Sequence, residues 1–258
     1  MLFLLRNMRR KMLSKNQLLT YVLYGIGEIF LVVIGILIAV QIDEWNEQRK
    51  LKEKETAYYT KLLEDIQQDA SQVKKLLSET ETRILHANLL LSLLQQEVID
   101  TRAVANEMLE AISLVTFTFK PSTAAFDDLK SSGNLGLLDE KIIKDLRDYY
   151  ANIEGIVDVV DINSDQAVRL FYDTQSYAKI GWPLIDFVEE AIDDQLIDKN
   201  DLFNRINADD DYREELISDA IYFIGSGARV KMLYQNLLLE IQQMEMILIQ
   251  QNQPQTKE

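Results

Sequence analysis

Hydrophobic and polar positions follow different rhythms along the chain. Between Tyr21 and Ile42 the only charged residue is Glu28, and from Ile29 to Val40 every residue is apolar or Gly. As a helix these residues rise about 33 Å, enough for a hydrocarbon core of about 30 Å. Tyr21 and Tyr24 at one end and Trp45 at the other stand where interfacial aromatics belong. A buried core helix rarely runs this long without a polar face. A cleaved signal peptide has a shorter apolar stretch and a small-residue cleavage site after it. The pattern predicts a transmembrane helix over 16–45.

Beyond Trp45 no Gly or Pro interrupts the sequence until Pro121. Leu62, Ile66, Asp69, Val73, Leu76, Thr80, Arg83, Ala87, Leu90 and Leu94 follow alternating steps of four and three. Most are apolar, and the exceptions have apolar neighbours at Ala70 and Ile84. The spacing predicts a helix with a coiled-coil-like stripe, continuous with the membrane span and packed on helices of the same chain. Asp100 or Thr101 caps a second helix to about Leu114. The run 114–122 alternates Thr with apolar residues, which predicts an extended segment or short strand ending at Pro121. Ser122 is expected to cap a short helix that stops at Gly133.

Asp139 opens a long helix to about Ala178, which Gly181-Trp182-Pro183 breaks. A helix to about Leu196, a short one near 200–206 and a last long helix after Asp209-Asp210-Asp211 follow. The expected fold is all-α: one N-terminal transmembrane helix continuing into a long helix and an antiparallel helical bundle over 46–250. Residues 1–15 form a basic amphipathic segment, and 251–258 a polar tail expected to be disordered.

Composition narrows the chemistry. The 258 residues include no Cys, one His (His86), three Pro and nine Gly, with a formal net charge of −15. Without Cys there are no disulfides and no thiol catalysis, and one His excludes multi-His metal sites. No GxGxxG or GxxxxGK[ST] occurs. The acidic balance argues against a nucleic-acid partner. Arg6, Arg9, Arg10, Lys11 and Lys15 precede the span with no acid among them. The expected topology therefore places the N-terminus in the cytoplasm and the helical domain in the periplasm, on an inner (plasma) membrane.

Glu28 shares a helical face with Leu31, Gly35, Ala39 and Ile42. Gly35 and Ala39 form a small-xxx-small pair that lets backbones approach closely. Glu28, Gly35 and Ala39 are the candidate membrane-helix association face, and the carboxyl of Glu28 can hydrogen-bond across it; snorkelling toward water and ion coupling are the other readings. Asp127-Asp128, Asp193-Asp194 and Asp209 to Asp211 lack the glycine of a calcium loop and read as caps and solvated faces. His86 reads as a satisfied or solvated side chain, and Met12, Met232, Met244 and Met246 as core or interface packing.

Phe117, Phe119, Phe126, Tyr149, Tyr150, Phe171, Tyr172, Tyr177 and Trp182 read chiefly as core, with a ligand pocket between helices as the sharper alternative. Segment 117–136 is the candidate recognition surface, with Ser122, Phe126, Asp127, Lys130 and Ser131 as its contributors.

The run from Tyr24 through Ile26-Gly27-Glu28-Ile29 and Leu31 to Ala39, then Gln41-Ile42 and Trp45-Asn46-Glu47, resembles the opening of a Bacteroidota family of single-span proteins of unknown function. Pro121-Ser122, Phe126 and Leu129 to Gly133 resemble its mid-chain segment. The resemblance implies an inner-membrane location and a mostly helical body, and implies no activity. The expectation is a non-enzymatic, self-associating scaffold with no cofactor. Its partners are the lipid bilayer, further copies of itself and envelope proteins. A periplasmic sensor-like bundle that binds a small ligand is the alternative.

Overall fold

A computed structural model describes residues 17–113, 115, 117–173, 183, 186–193, 195–196, 198, 204 and 206–252. The fold is all-α, with no strand among the described residues. It divides into two compact units, Met1–Ala57 and Tyr58–Glu258. Helix α1, Gln17–Leu94, runs through both as 78 uninterrupted residues, as the absence of Gly and Pro after Trp45 predicts.

In the first unit α1 is long and apolar enough to cross a membrane, and none of its apolar window is buried within the chain. Past Ile42 the surface turns polar. Arg49 pairs with Glu53 at 3.6 Å and Lys52 with Glu55 at 2.9 Å, one turn apart along the helix. Such exposed pairs support helix propagation by a few tenths of a kcal/mol each, about 0.3–0.5.

The second unit begins where the stripe does. Helix α2 spans Thr101–Ile112, and the Asp100 carboxylate caps it by accepting from the N–H groups of Arg102 and Ala103. Helix α3 is Ala124–Ser131. Gly133 follows at φ 71°, a left-handed conformation that favours glycine, and leads into a 3-10 turn at Asn134–Leu137. Helix α4 is Glu140–Asp173, with Asp139 accepting from the Lys141 N–H at 2.8 Å. Helix α5 is only Asp186–Glu189. Helix α6, Asp210–Asn252, starts on Asp209, which accepts from the Tyr212 N–H at 3.1 Å.

Contacts fix the directions. Gln67 reaches Glu245 at 3.0 Å and Lys231 reaches Glu81 at 2.8 Å, so α6 runs antiparallel to α1. At the far end Arg213 donates to the carbonyls of Leu94 and Gln96, both at 2.7 Å, and so satisfies the C-terminus of α1 from outside. Tyr149 meets Asp69, and Asn163 and Ser164 line one cavity with Thr80 and Arg83, so α4 runs parallel to α1. The segment holding α2 and α3 carries the chain back to make that parallel pair.

The stripe of α1 is buried within its own chain. Leu62, Ile66, Val73, Leu76, Ala87, Leu90 and Leu94 lie in the core, as do the polar members Asp69, Thr80 and Arg83. The apolar core forms two clusters. One joins Tyr58 to Leu76 with Phe119 to Val160 and Val230 to Leu248. The other joins Ala87 to Leu94 with α2 and with Ile206 to Phe223. Thr80 and Arg83 on α1, Asn163 and Ser164 on α4, and Ser226 and Gly227 on α6 fall between them.

Three sequence expectations change. Among its described residues the alternation at 114–122 yields no strand: residues 117–120 have no regular structure. Phe119 is buried and Phe117 is 63 % exposed. The inside–outside alternation is real, but a lone segment has no neighbour to form a ladder. The helix expected to reach Leu196 is the four residues of α5, followed by turns. At the C-terminus the helix continues through Gln251 and Asn252, the first two residues of the expected tail. The basic segment 1–15 and residues 253–258 lie outside the described residues, as do Gly181 and Trp182, Tyr177 and most of the element expected near 200–206.

Candidate functional site

Segment 117–138 is held on α1 and α4 by half-buried polar contacts that the spacing of its own residues does not reveal. Two acids one turn apart on α1 supply them. Asp69 accepts from the Ser122 N–H at 2.8 Å, and Asp65 accepts from the Ala125 N–H at 2.8 Å. Helix α3 is therefore capped from a neighbouring helix. Its own N-cap, Thr123, makes no side-chain cap bond and instead donates to Asp127 at 2.7 Å. Ser122, expected as the cap, lies one residue before it. Its N–H serves Asp69 and its carbonyl accepts from Tyr150 at 3.2 Å.

Electrostatics follow from burial. Asp69 is fully buried and also accepts from Tyr149 at 3.3 Å. Burial is the largest influence on it and raises its pKa to about 6, although the Ser122 and Tyr149 hydrogen bonds oppose the rise. Burial likewise pushes the phenols of Tyr149 and Tyr150 well above the ordinary tyrosine value, with the Asp69 charge adding to the rise in both. Tyr150 stacks on Phe126 at 4.9 Å, and Tyr149 meets Tyr150 edge-on at 5.1 Å.

The predicted recognition residues divide into two groups. Phe126 is buried and Ser122 half-buried, so both anchor the segment. Asp127, Lys130 and Ser131 face outward. Lys130 pairs with Asp127 at 2.6 Å and lies 4.7 Å over the Phe126 ring. Hydrogen bonds from Lys130 and Thr123 hold the exposed Asp127 carboxyl below its ordinary value. Lys61 approaches Asp128 at 3.6 Å, and Ser131 donates to the Asp128 carbonyl at 3.3 Å. The outer face of α3 is thus a small field of neutralised charge on a well-anchored support.

Most of the described aromatic set is core. Phe119, Phe126 and Tyr149 are buried and Tyr150 packs against them; the side chains of Phe171 and Tyr172 lie outside the described residues. His86 is tied to Glu107 of α2 at 2.7 Å. Asp193 accepts from the Gln195 N–H at 2.9 Å, a local turn contact, and Asp209 caps α6. Met244 is buried, whereas Met232 and Met246 are exposed.

In the first unit Glu28, Gly35 and Ala39 lie on one exposed face of α1. A Cβ built on Gly35 meets nothing within 4 Å, so this face is open to close approach. Residues missed by sequence reasoning are Asp65, Asp69 and Arg83. Asp69 and Arg83 occupy stripe positions where apolar residues belong, and that mismatch is the signal the sequence offers.

No curated protein and no solved structure matches the chain. The model of a family of unknown function, DUF6090, matches residues 28–178, from the middle of the apolar stretch through α4. That match spans more than half of the sequence, and the chain belongs to the DUF6090 family.

Proposed function

We propose that this protein is a membrane-anchored helical scaffold of the cell envelope, without catalytic activity, that self-associates through its membrane helix. One observation carries the reading. The helix that buries its stripe inside the bundle leaves its apolar stretch unburied on every face. Lipid is the solvent that suits such a surface. The N-terminus lies in the cytoplasm and the bundle in the periplasm, as the acid-free basic segment before the span supports. The bilayer, further copies of the chain and envelope proteins are its partners. The anchored outer face of α3 offers Asp127, Lys130 and Ser131 to a protein partner.

The small residues make the self-association testable. Gly35 and Ala39 let two helices approach on the Glu28 face, whereas Leu37 points about 160° away from Ala39. The natural chain has no Cys, so a single introduced thiol reports cleanly. Oxidation in native membranes is expected to crosslink Ala39→Cys into dimers several-fold more than Leu37→Cys. Equal crosslinking, or monomer in both, would overturn the proposed face.

A further inference from the structure

We propose that the polar layer between the two core clusters is a binding site for a small monovalent anion, held by Arg83. Arg83 is 9 % exposed, and its guanidinium donates to Thr80 Oγ1 at 2.8 Å and to the Ser113 carbonyl at 3.3 Å. Among the described residues it makes no ion pair with a carboxylate. A buried cation with no carboxylate in contact, only Glu79 acting on it through space, still carries a desolvation cost, as any ion does on leaving water. Beside it lies a cavity of about 30 Å³ lined by α1, α2, α4 and α6. About 10–15 Å³ suffices for one water, so the space takes a halide or a formate-sized carboxylate.

The lining suits an anion. Ser164 and Asn163 line the cavity, and the Asn163 amide has a second N–H beyond the one it donates to the Val159 carbonyl; the Ser226 hydroxyl, also in the lining, donates to the Phe223 carbonyl at 3.3 Å. Tyr234 adds a phenol whose oxygen accepts from the Phe119 N–H, and burial raises its pKa to about 12, which keeps its proton available to donate. Glu79 and Asp161 act on this region through space: Glu79 on Arg83 and Tyr234, Asp161 on Tyr234. Their negative charge favours one anionic charge over two. The apolar clusters on either side leave this layer as the break in the core, so occupancy bears directly on bundle stability.

The test uses the full chain in detergent micelles, unfolded by heat at fixed ionic strength. Sodium chloride, bromide and formate are compared with gluconate, which is too large for the cavity. A saturable rise in midpoint of about 3–6 °C is expected at tenfold excess over Kd. The chloride and formate arms distinguish a halide from a small carboxylate. Arg83→Met is expected to lose the rise. Identical midpoints in all salts, or the same rise in Arg83→Met, would overturn the site. Should that variant not fold, crystals of the natural chain grown in bromide decide the matter. An anomalous peak within hydrogen-bond distance of the guanidinium supports the site, and its absence there refutes it.

Discussion

At pH 7, Asp69→Asn is expected to stabilise the bundle by about 2–3 kcal/mol, and the gain is expected to vanish by pH 4. The carboxyl titrates at about 6 when folded, against an ordinary 3.8. A tenfold weaker hold on the proton in the unfolded chain corresponds to about 1.4 kcal/mol. Because the folded pKa is raised, the native chain binds more protons than the unfolded chain between pH 3.8 and 6. Stability therefore falls as pH rises through that window and levels off above it. Asn keeps the acceptor for the Ser122 N–H and can donate to Tyr149 without carrying a buried charge. Chemical unfolding of both chains, followed by circular dichroism from pH 4 to pH 7.5, gives the difference curve. A flat curve, or one of opposite slope, would show that Asp69 is not held as described.

The companion substitution separates charge from hydrogen bonding. Asp69→Ala removes the acceptor for two donors, the half-buried Ser122 N–H and the buried Tyr149 hydroxyl. Leaving them unsatisfied costs about 2–4 kcal/mol together. At pH 4, where Asp69 is neutral, that full cost is expected. At pH 7 the relief of the buried charge offsets most of it. Asn and Ala thus differ by a nearly constant amount while both shift against the natural chain.

This behaviour bears on how much of the molecule can be read from sequence. The uninterrupted α1, the all-α fold and the caps at Asp100, Asp139 and Asp209 follow from local signals: absence of Gly and Pro, heptad spacing and short acids before apolar runs. The polar joints do not. Asp69, Thr80 and Arg83 break the stripe, and apolar patterning alone shifts the buried positions to Ala70 and Ile84. Helical geometry keeps the stripe positions inside, with Ala70 buried and Ile84 half-buried beside them, and partners far along the chain satisfy the polar members. Ser122 lies 53 residues from Asp69, and Ser113 lies 30 from Arg83. Local spacing contains no record of such partners. The same gap hides the cap of α3, because a Ser beside a helix start looks self-sufficient until Asp65 is seen to supply the acceptor. Segment 117–136 is legible as an irregular stretch on a helical scaffold, but its division into buried anchors and an outward face requires the positions of α1 and α4.

Two glycines of α6 are expected to respond to the same substitution with opposite sign. Gly225 is exposed in mid-helix, and a Cβ added there meets nothing within 4 Å. Gly225→Ala is expected to stabilise by about 0.5–1 kcal/mol, the ordinary helix-propensity gain. Gly227 faces α1, and its added Cβ would stand 2.8 Å from Ile84 Cγ1. That atom belongs to a β-branched side chain with little rotamer freedom in a helix, so it cannot swing aside without moving the α1–α6 contact. Overpacking costs about 1–3 kcal/mol, which exceeds the propensity gain. Gly227→Ala is therefore expected to destabilise by about 1–2 kcal/mol, and Gly227→Ala with Ile84→Ala to cost less than the two singles summed, because the clash is relieved. Gly155→Ala on α4, equally open, serves as a second stabilising control. A stabilising Gly227→Ala would mean that α1 and α6 do not approach closely at Ile84, and would remove one wall of the cavity beside Arg83.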